Sequence, residues 1–137
     1  MPRHNSQSRV VPTGDQMKIF WTLVGLLEPY SRVTKVIRSS AYSYALVVHR
    51  VSGSARRKQT AVELFAGVQI QKAYVGFYFF PLHIEKTLKE RLPEQLLTFL
   101  KGITSFHFTE LSTETIDAIK VALNEGSNIY RALGLMR

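Results

Sequence analysis

Four histidines (His4, His49, His83 and His107) and ten carboxylates are the side chains here that could carry metal or acid–base chemistry, and the chain has no cysteine. Disulfides, thiolate metal sites and cysteine nucleophiles are therefore excluded. Metal ligands recur at short, set spacings, so that one helix turn or one hairpin aims two of them at the ion. No histidine has a partner at such a spacing; the nearest approach is His83-x-Glu85, a pair common by chance. An iron-binding surface needs clustered oxygen ligands. Here the acids are scattered, and residues 15–38 hold only Asp15 and Glu28. No Gly-x-Ser-x-Gly elbow presents a serine nucleophile, and Ser52-Gly53-Ser54 lacks the rest of a phosphate-binding loop. Glu90 and Glu94 would share a helical face only across Pro93, which breaks it. No catalytic or metal-binding residue is singled out, no cofactor is implied, and binding is favoured over turnover.

Two constellations suit binding. The run Tyr74-Val75-Gly76-Phe77-Tyr78-Phe79-Phe80 is the densest aromatic stretch. The cations Arg32, Lys35 and Arg38 recur three apart, and Arg56-Arg57-Lys58 form a cluster. The formal net charge is +8, and residues 1–58 carry ten Lys/Arg against two acids, whereas residues 59–137 carry eight of each. Such asymmetry attracts an anionic partner, or serves solubility alone. Aromatic rings on an open sheet beside a basic loop can stack bases and hold phosphates, which makes nucleic acid or another polyanion one expected partner. A second copy of the chain, covering the same rings in a homodimer, is the other. Lys72 to Phe79 faintly echoes the aromatic strand of RNA-recognition motifs, but it lacks the glycine after the lysine and departs at two further positions, and that fold begins with a strand, not a helix.

The elements that must position these residues follow from spacing. Residues 1–12 are polar and aperiodic and read as a disordered basic tail; residues 13–137 read as one domain. Thr13 and Gln16 form a capping box ahead of a helix whose apolar face is Met17, Phe20, Val24 and Leu27, widened by Ile19, Leu23 and Leu26. Pro29 ends it. The spacing of Arg32, Lys35 and Arg38 predicts an amphipathic helix over Ser31–Ser40 with a basic outer stripe. Tyr42–Val51 and Ala61–Ile70 read as strands, the second with Val62, Leu64, Ala66, Val68 and Ile70 on one face. Tyr74–Phe80 is the central strand and stops at Pro81, which cannot donate to a ladder.

A two-residue connection at Gln71-Lys72 pairs Val68 with Val75, Ala66 with Phe77 and Leu64 with Phe79. Cross-strand partners share a face. Val75, Phe77 and Phe79 should therefore enter the core, while Phe65, Tyr74, Tyr78 and Phe80 share the outer face. Two short helices follow, one through Ile84, Leu88 and Leu92 and one from Pro93 to Gly102. Ile103–Thr109 is a fourth strand, with Phe106 and Phe108 opposite Ser105 and His107. Ser112 caps a last helix, with Ile116, Ile119, Leu123, Tyr130 and Leu133 as its buried stripe and Gly126 as a close contact. The expected fold is α+β: an antiparallel sheet of about four strands with the N- and C-terminal helices on one face. No apolar run nears the ~20 residues of a membrane span, so no membrane partner is expected. Met1–Gln16 lacks the apolar region of a secretory signal, and the cytoplasm is the expected location.

Residues 73–134 resemble the YdhG-like family of small bacterial domains of unknown function. The resemblance rests on Tyr74-Val75-Gly76-Phe77-Tyr78 leading to Pro81, the paired short helices, Ser105-Phe106-His107-Phe108, and Tyr130-Arg131 near the end of the last helix. It implies a frataxin-like sandwich. It also implies an alternative role as an iron-chaperone-like protein, and it transfers no catalytic residue.

Overall fold

The computed structural model describes residues 11–52 and 59–137. Helix α1 (Gly14–Leu27) begins at the capping box: the Gln16 amide donates to the Thr13 hydroxyl at 3.1 Å, and the Thr13 amide donates to the Gln16 side-chain carbonyl at 3.0 Å. A 3-10 turn (Glu28–Val33) leads into strands β1 (Lys35–Ile37), β2 (Ser43–Ser52), β3 (Gln59–Ile70) and β4 (Val75–Phe79). The helical turn α2 (Pro81–Ile84), a 3-10 turn (Lys86–Arg91) and the one-turn helix α3 (Glu94–Leu97) follow. Strands β5 (Leu100–Lys101) and β6 (Ser105–Phe108) and the long helix α4 (Thr113–Ala132) complete the chain. All strand pairs are antiparallel, in the order β1-β2-β3-β4-β6-β5.

The protein is thus α+β, and its helices pack on one face of the sheet. Phe20, Leu23 and Leu27 of α1 and Ile119, Leu123 and Tyr130 of α4 meet Val68, Phe77, Phe79, Phe106 and Phe108 in one core. Val75, Phe77 and Phe79 are all fully buried, as the parity of β4 requires. In α4, a Cβ on Gly126 would lie 2.5 Å from Phe79 Cζ and 2.8 Å from Pro81 Cγ. Only a glycine lets the helix sit that close. Ile119 and Leu123 are buried, whereas Leu133, expected in the same stripe, is half exposed past the helix end.

The described sheet has six strands where about four were expected. One addition is β1, in the segment read as a basic helix. Val33, Thr34, Val36 and Ile37 are β-branched and favour extended backbone, and pairing with β2 decides the outcome over a three-residue charge spacing. The other is β5. The helix expected to run to Gly102 lasts one turn, and Gly102, at φ +84°, reverses the chain between β5 and β6. The β3–β4 connection spans four residues, with the Gln71 amide donating to the Tyr74 carbonyl at 2.8 Å. Ala66 therefore pairs with Phe79, Val68 with Phe77 and Ile70 with Val75, two places from the expected register with parity unchanged.

Parity does break inside β3. Leu46 pairs with Ala66 but Val47 pairs with Leu64, leaving Phe65 as the extra residue of a β-bulge. This corrects the placement of Phe65 on the outer face. It is fully buried, with ring centroids 5.2 Å from Tyr130, 5.7 Å from Tyr30 and 6.1 Å from Phe79. Val62 and Leu64, expected inside, turn outward, and Val62 is 57% exposed. The Tyr130 hydroxyl donates to the Leu64 carbonyl at 2.7 Å, so the last helix holds the bulge.

Candidate functional site

The bulge and the strand registers together define the face that the helices leave uncovered. One row crosses all six strands: Ile37, Ala45, Gly67, Tyr78, Ser105 and Lys101. The next row holds Ser43, Gln69, Gly76 and His107. On the other side stand Lys35, Val47 and Leu64. Ser43, Ala45, Gly67 and Ser105 are small, so this face forms a shallow trough, which the Tyr78 phenol closes over Gly76. Among the described residues no helix packs over it.

Aromatic rings rim the trough. Tyr74 stacks on His107 with centroids 3.8 Å apart and planes 13° from parallel. Both rings are half-buried. The Tyr78 phenol lies over Gly76, where a Cβ would collide with it, and the Gln71 side-chain amide donates to its hydroxyl at 3.0 Å. Gly76 and Gln71 thus hold Tyr78 along the sheet. Phe80 lies just past β4 with its ring 4.9 Å from that of His83.

The charge on this face has one sign. Across the six strands of the described residues the only carboxylate is Glu63. It lies on the helix side, opposite Val48, and pairs with Arg50 at 2.7 Å. Lys35 and Lys101 sit on the open face and are exposed.

The cations expected on one stripe are dispersed. Arg32 lies in the 3-10 turn beside Val33 and the C-terminal Gly134–Arg137. The Arg38 guanidinium sits 5.7 Å over the Trp21 ring of α1 and donates to the Ala41 carbonyl at 3.3 Å. Only Lys35 of the three reaches the trough's edge, because a strand sends alternate side chains to opposite faces and a helix does not. Arg56, Arg57 and Lys58 fall outside the described residues, as do residues 1–10 of the tail expected over residues 1–12; Val11 and Pro12 precede the first helix without secondary structure. His107 and Lys101 were not singled out from sequence. The alternation in Ser105-Phe106-His107-Phe108 carried the signal for His107, whereas Lys101 was hidden in a segment read as helix.

Other features offer less. A cleft of about 280 Å³ between the start of α1 and the β6–α4 connection is lined by Asp15, Lys18, Ile19, Thr22, Thr109, Glu110, Leu111 and Ile116. Its ionisable groups, Asp15, Lys18 and Glu110, are all exposed to water. Among the described residues no group of three or more His, Asp or Glu converges as a metal site requires. No described helix is long and apolar enough to cross a membrane. Burial raises the phenols of Tyr30, Tyr44 and Tyr130 above their ordinary values and keeps them neutral. Comparison with protein-family models, with curated proteins and with solved structures found no match to this chain.

Proposed function

We propose that the protein is a non-enzymatic binding module and that the open face of its sheet is the binding surface. One observation carries this reading: the uncovered face joins ordered aromatic rings to a trough of small residues and holds no carboxylate. A sheet face over which no described helix packs, bearing a Tyr78 ring held by Gln71 and Gly76, suits a ligand that lies across strands. The layer order, with a helix from each end of the chain on one face of an antiparallel sheet, supports the frataxin-like arrangement implied by the YdhG-like resemblance.

The test is amide shift mapping by NMR, with the protein titrated by oligonucleotides, polyglutamate and small phosphorylated compounds. The expected result is a response confined to the amides around Ala45, Gly67, Gly76, Tyr78 and His107. A response confined to the cleft at Asp15, Lys18 and Glu110, or turnover of a compound there, would refute this reading.

A further inference from the structure

We propose that the open face binds single-stranded nucleic acid, with bases stacked on the Tyr74–His107 pair and Tyr78 and phosphates met by Lys35 and Lys101. The inference rests on the reading of that face as the binding surface and names its partner.

Charge is the first argument. A polyanion laid across this face meets no carboxylate, because Glu63 points to the helix side and is neutralised there by Arg50. The excess of cations in residues 1–58, ten against two acids, adds a long-range attraction of the same sign. The same one-sidedness disfavours a second copy. A two-fold interface sets a patch against itself, so Lys35 and Lys101 would meet cations and find no acid to pair with.

Ring geometry is the second. Stacking on nucleobases needs flat rings held near the sheet surface, and it tolerates any base because every base has a π-face. Tyr74 and His107 already form a parallel stack that a base can extend. Tyr78 is preset by its glycine neighbour and by Gln71, so little ordering entropy is lost on binding. Ala45 and Gly67, small residues in the same cross-strand row as Tyr78, leave a base room beside its ring.

Width is the third. Six strands at roughly 4.8 Å spacing make a face about 24 Å across. That is about twice the ~12 Å major groove of B-DNA, so the sheet cannot enter a duplex to read it. A single strand can lie along the face with its bases turned to the rings.

Fluorescence anisotropy tests the inference with labelled single strands of about twelve nucleotides (oligo-dT and oligo-U), the matching duplex and polyglutamate. The single strands should bind at about 50 mM salt and weaken steeply by about 200 mM. Duplex and polyglutamate should bind at least about tenfold more weakly. Tyr74→Ala and Tyr78→Ala should each weaken single-strand binding by roughly tenfold. Lys35→Gln and Lys101→Gln should each lower the salt slope by about 0.7. Gly76→Ala displaces only the end of the Tyr78 side chain, so it should weaken binding like Tyr78→Ala while leaving the thermal midpoint near that of the wild type.

Absence of oligonucleotide binding at low salt would overturn the inference. So would single strands, duplex and polyglutamate binding alike with the tyrosine variants unaffected, or a wild type that sediments as a dimer and becomes monomeric with Tyr78→Glu. If polyglutamate shifts the trough amides and oligonucleotides do not, the nucleic-acid inference falls and the binding-module reading stands. If no probe reaches the trough, both fall.

Discussion

Tyr130→Phe removes one oxygen and tests whether the last helix holds the β-bulge in place. The Tyr130 ring is fully buried against Phe65, and its hydroxyl donates to the Leu64 carbonyl at 2.7 Å. Phenylalanine keeps the ring and almost all of its volume, so no cavity term arises. What changes is one hydrogen bond, and a carbonyl at the bulge loses its donor. A buried acceptor left in that state costs ~1–3 kcal/mol. With a urea dependence of about 1–3 kcal/mol per molar for a small domain, the unfolding midpoint should fall by about 1 M. Tyr44→Phe is the control. Its hydroxyl donates to the exposed Glu28 at 3.2 Å, and water can replace it there, so the loss should stay below about 1 kcal/mol.

The pH dependence gives a second readout of the same oxygen. Burial raises the Tyr130 pKa above the ordinary ~10 of an unfolded phenol. Its stabilising contribution is therefore complete below about pH 10 and is lost as pH rises beyond that, when the unfolded phenol ionises first. The phenylalanine variant has no such group. The stability gap between wild type and variant should narrow above about pH 10, while Tyr30 and Tyr44 titrate alike in both proteins. A Tyr130→Phe protein as stable as wild type at neutral pH would refute the claim that this hydroxyl secures the bulge.

Two glycine substitutions should move stability in opposite directions in chemical denaturation. Gly25→Ala meets nothing within 4 Å on α1 and should stabilise by about 0.5–1 kcal/mol, whereas Gly126→Ala strikes Phe79 and Pro81 and should destabilise by about 1–3 kcal/mol despite its better helix propensity. Equal signs would show that α4 can shift away from β4. Phe77→Ala should cost roughly 3–5 kcal/mol, and Tyr78→Ala clearly less, because Tyr78 lies on the half-exposed side of β4. Equal losses in urea would contradict the facing of the central strand.

Much of the architecture was legible because it depends on contacts near in sequence. The Thr13–Gln16 capping box, the Ser112 cap and the facing of Val75, Phe77 and Phe79 follow from spacing, side-chain chemistry and the two-residue period of a strand. A four-residue turn in place of a two-residue one moved the register by two and so left that facing intact. The outer positions of Tyr74 and Tyr78 were readable for the same reason.

The rest needed partners distant in the chain. Nothing local marks Phe65 as the extra residue of a bulge; it turns inward because β2 pairs around it and Tyr30, Phe79 and Tyr130 close on its ring. Lys35 and Lys101 reach one surface only because the short strands β1 and β5 add to opposite edges of the sheet, and each was read as helix from its own residues. Two or three residues carry too little intrinsic preference to choose strand over helix, so the hydrogen-bonding edge beside them makes the choice. The side chains available for binding were set by the sequence. Their meeting on one uncovered face, with Glu63 turned away from it, was decided by the tertiary pairing of strands, which carries Lys35 on β1 and Lys101 on β5 to the two edges of one sheet.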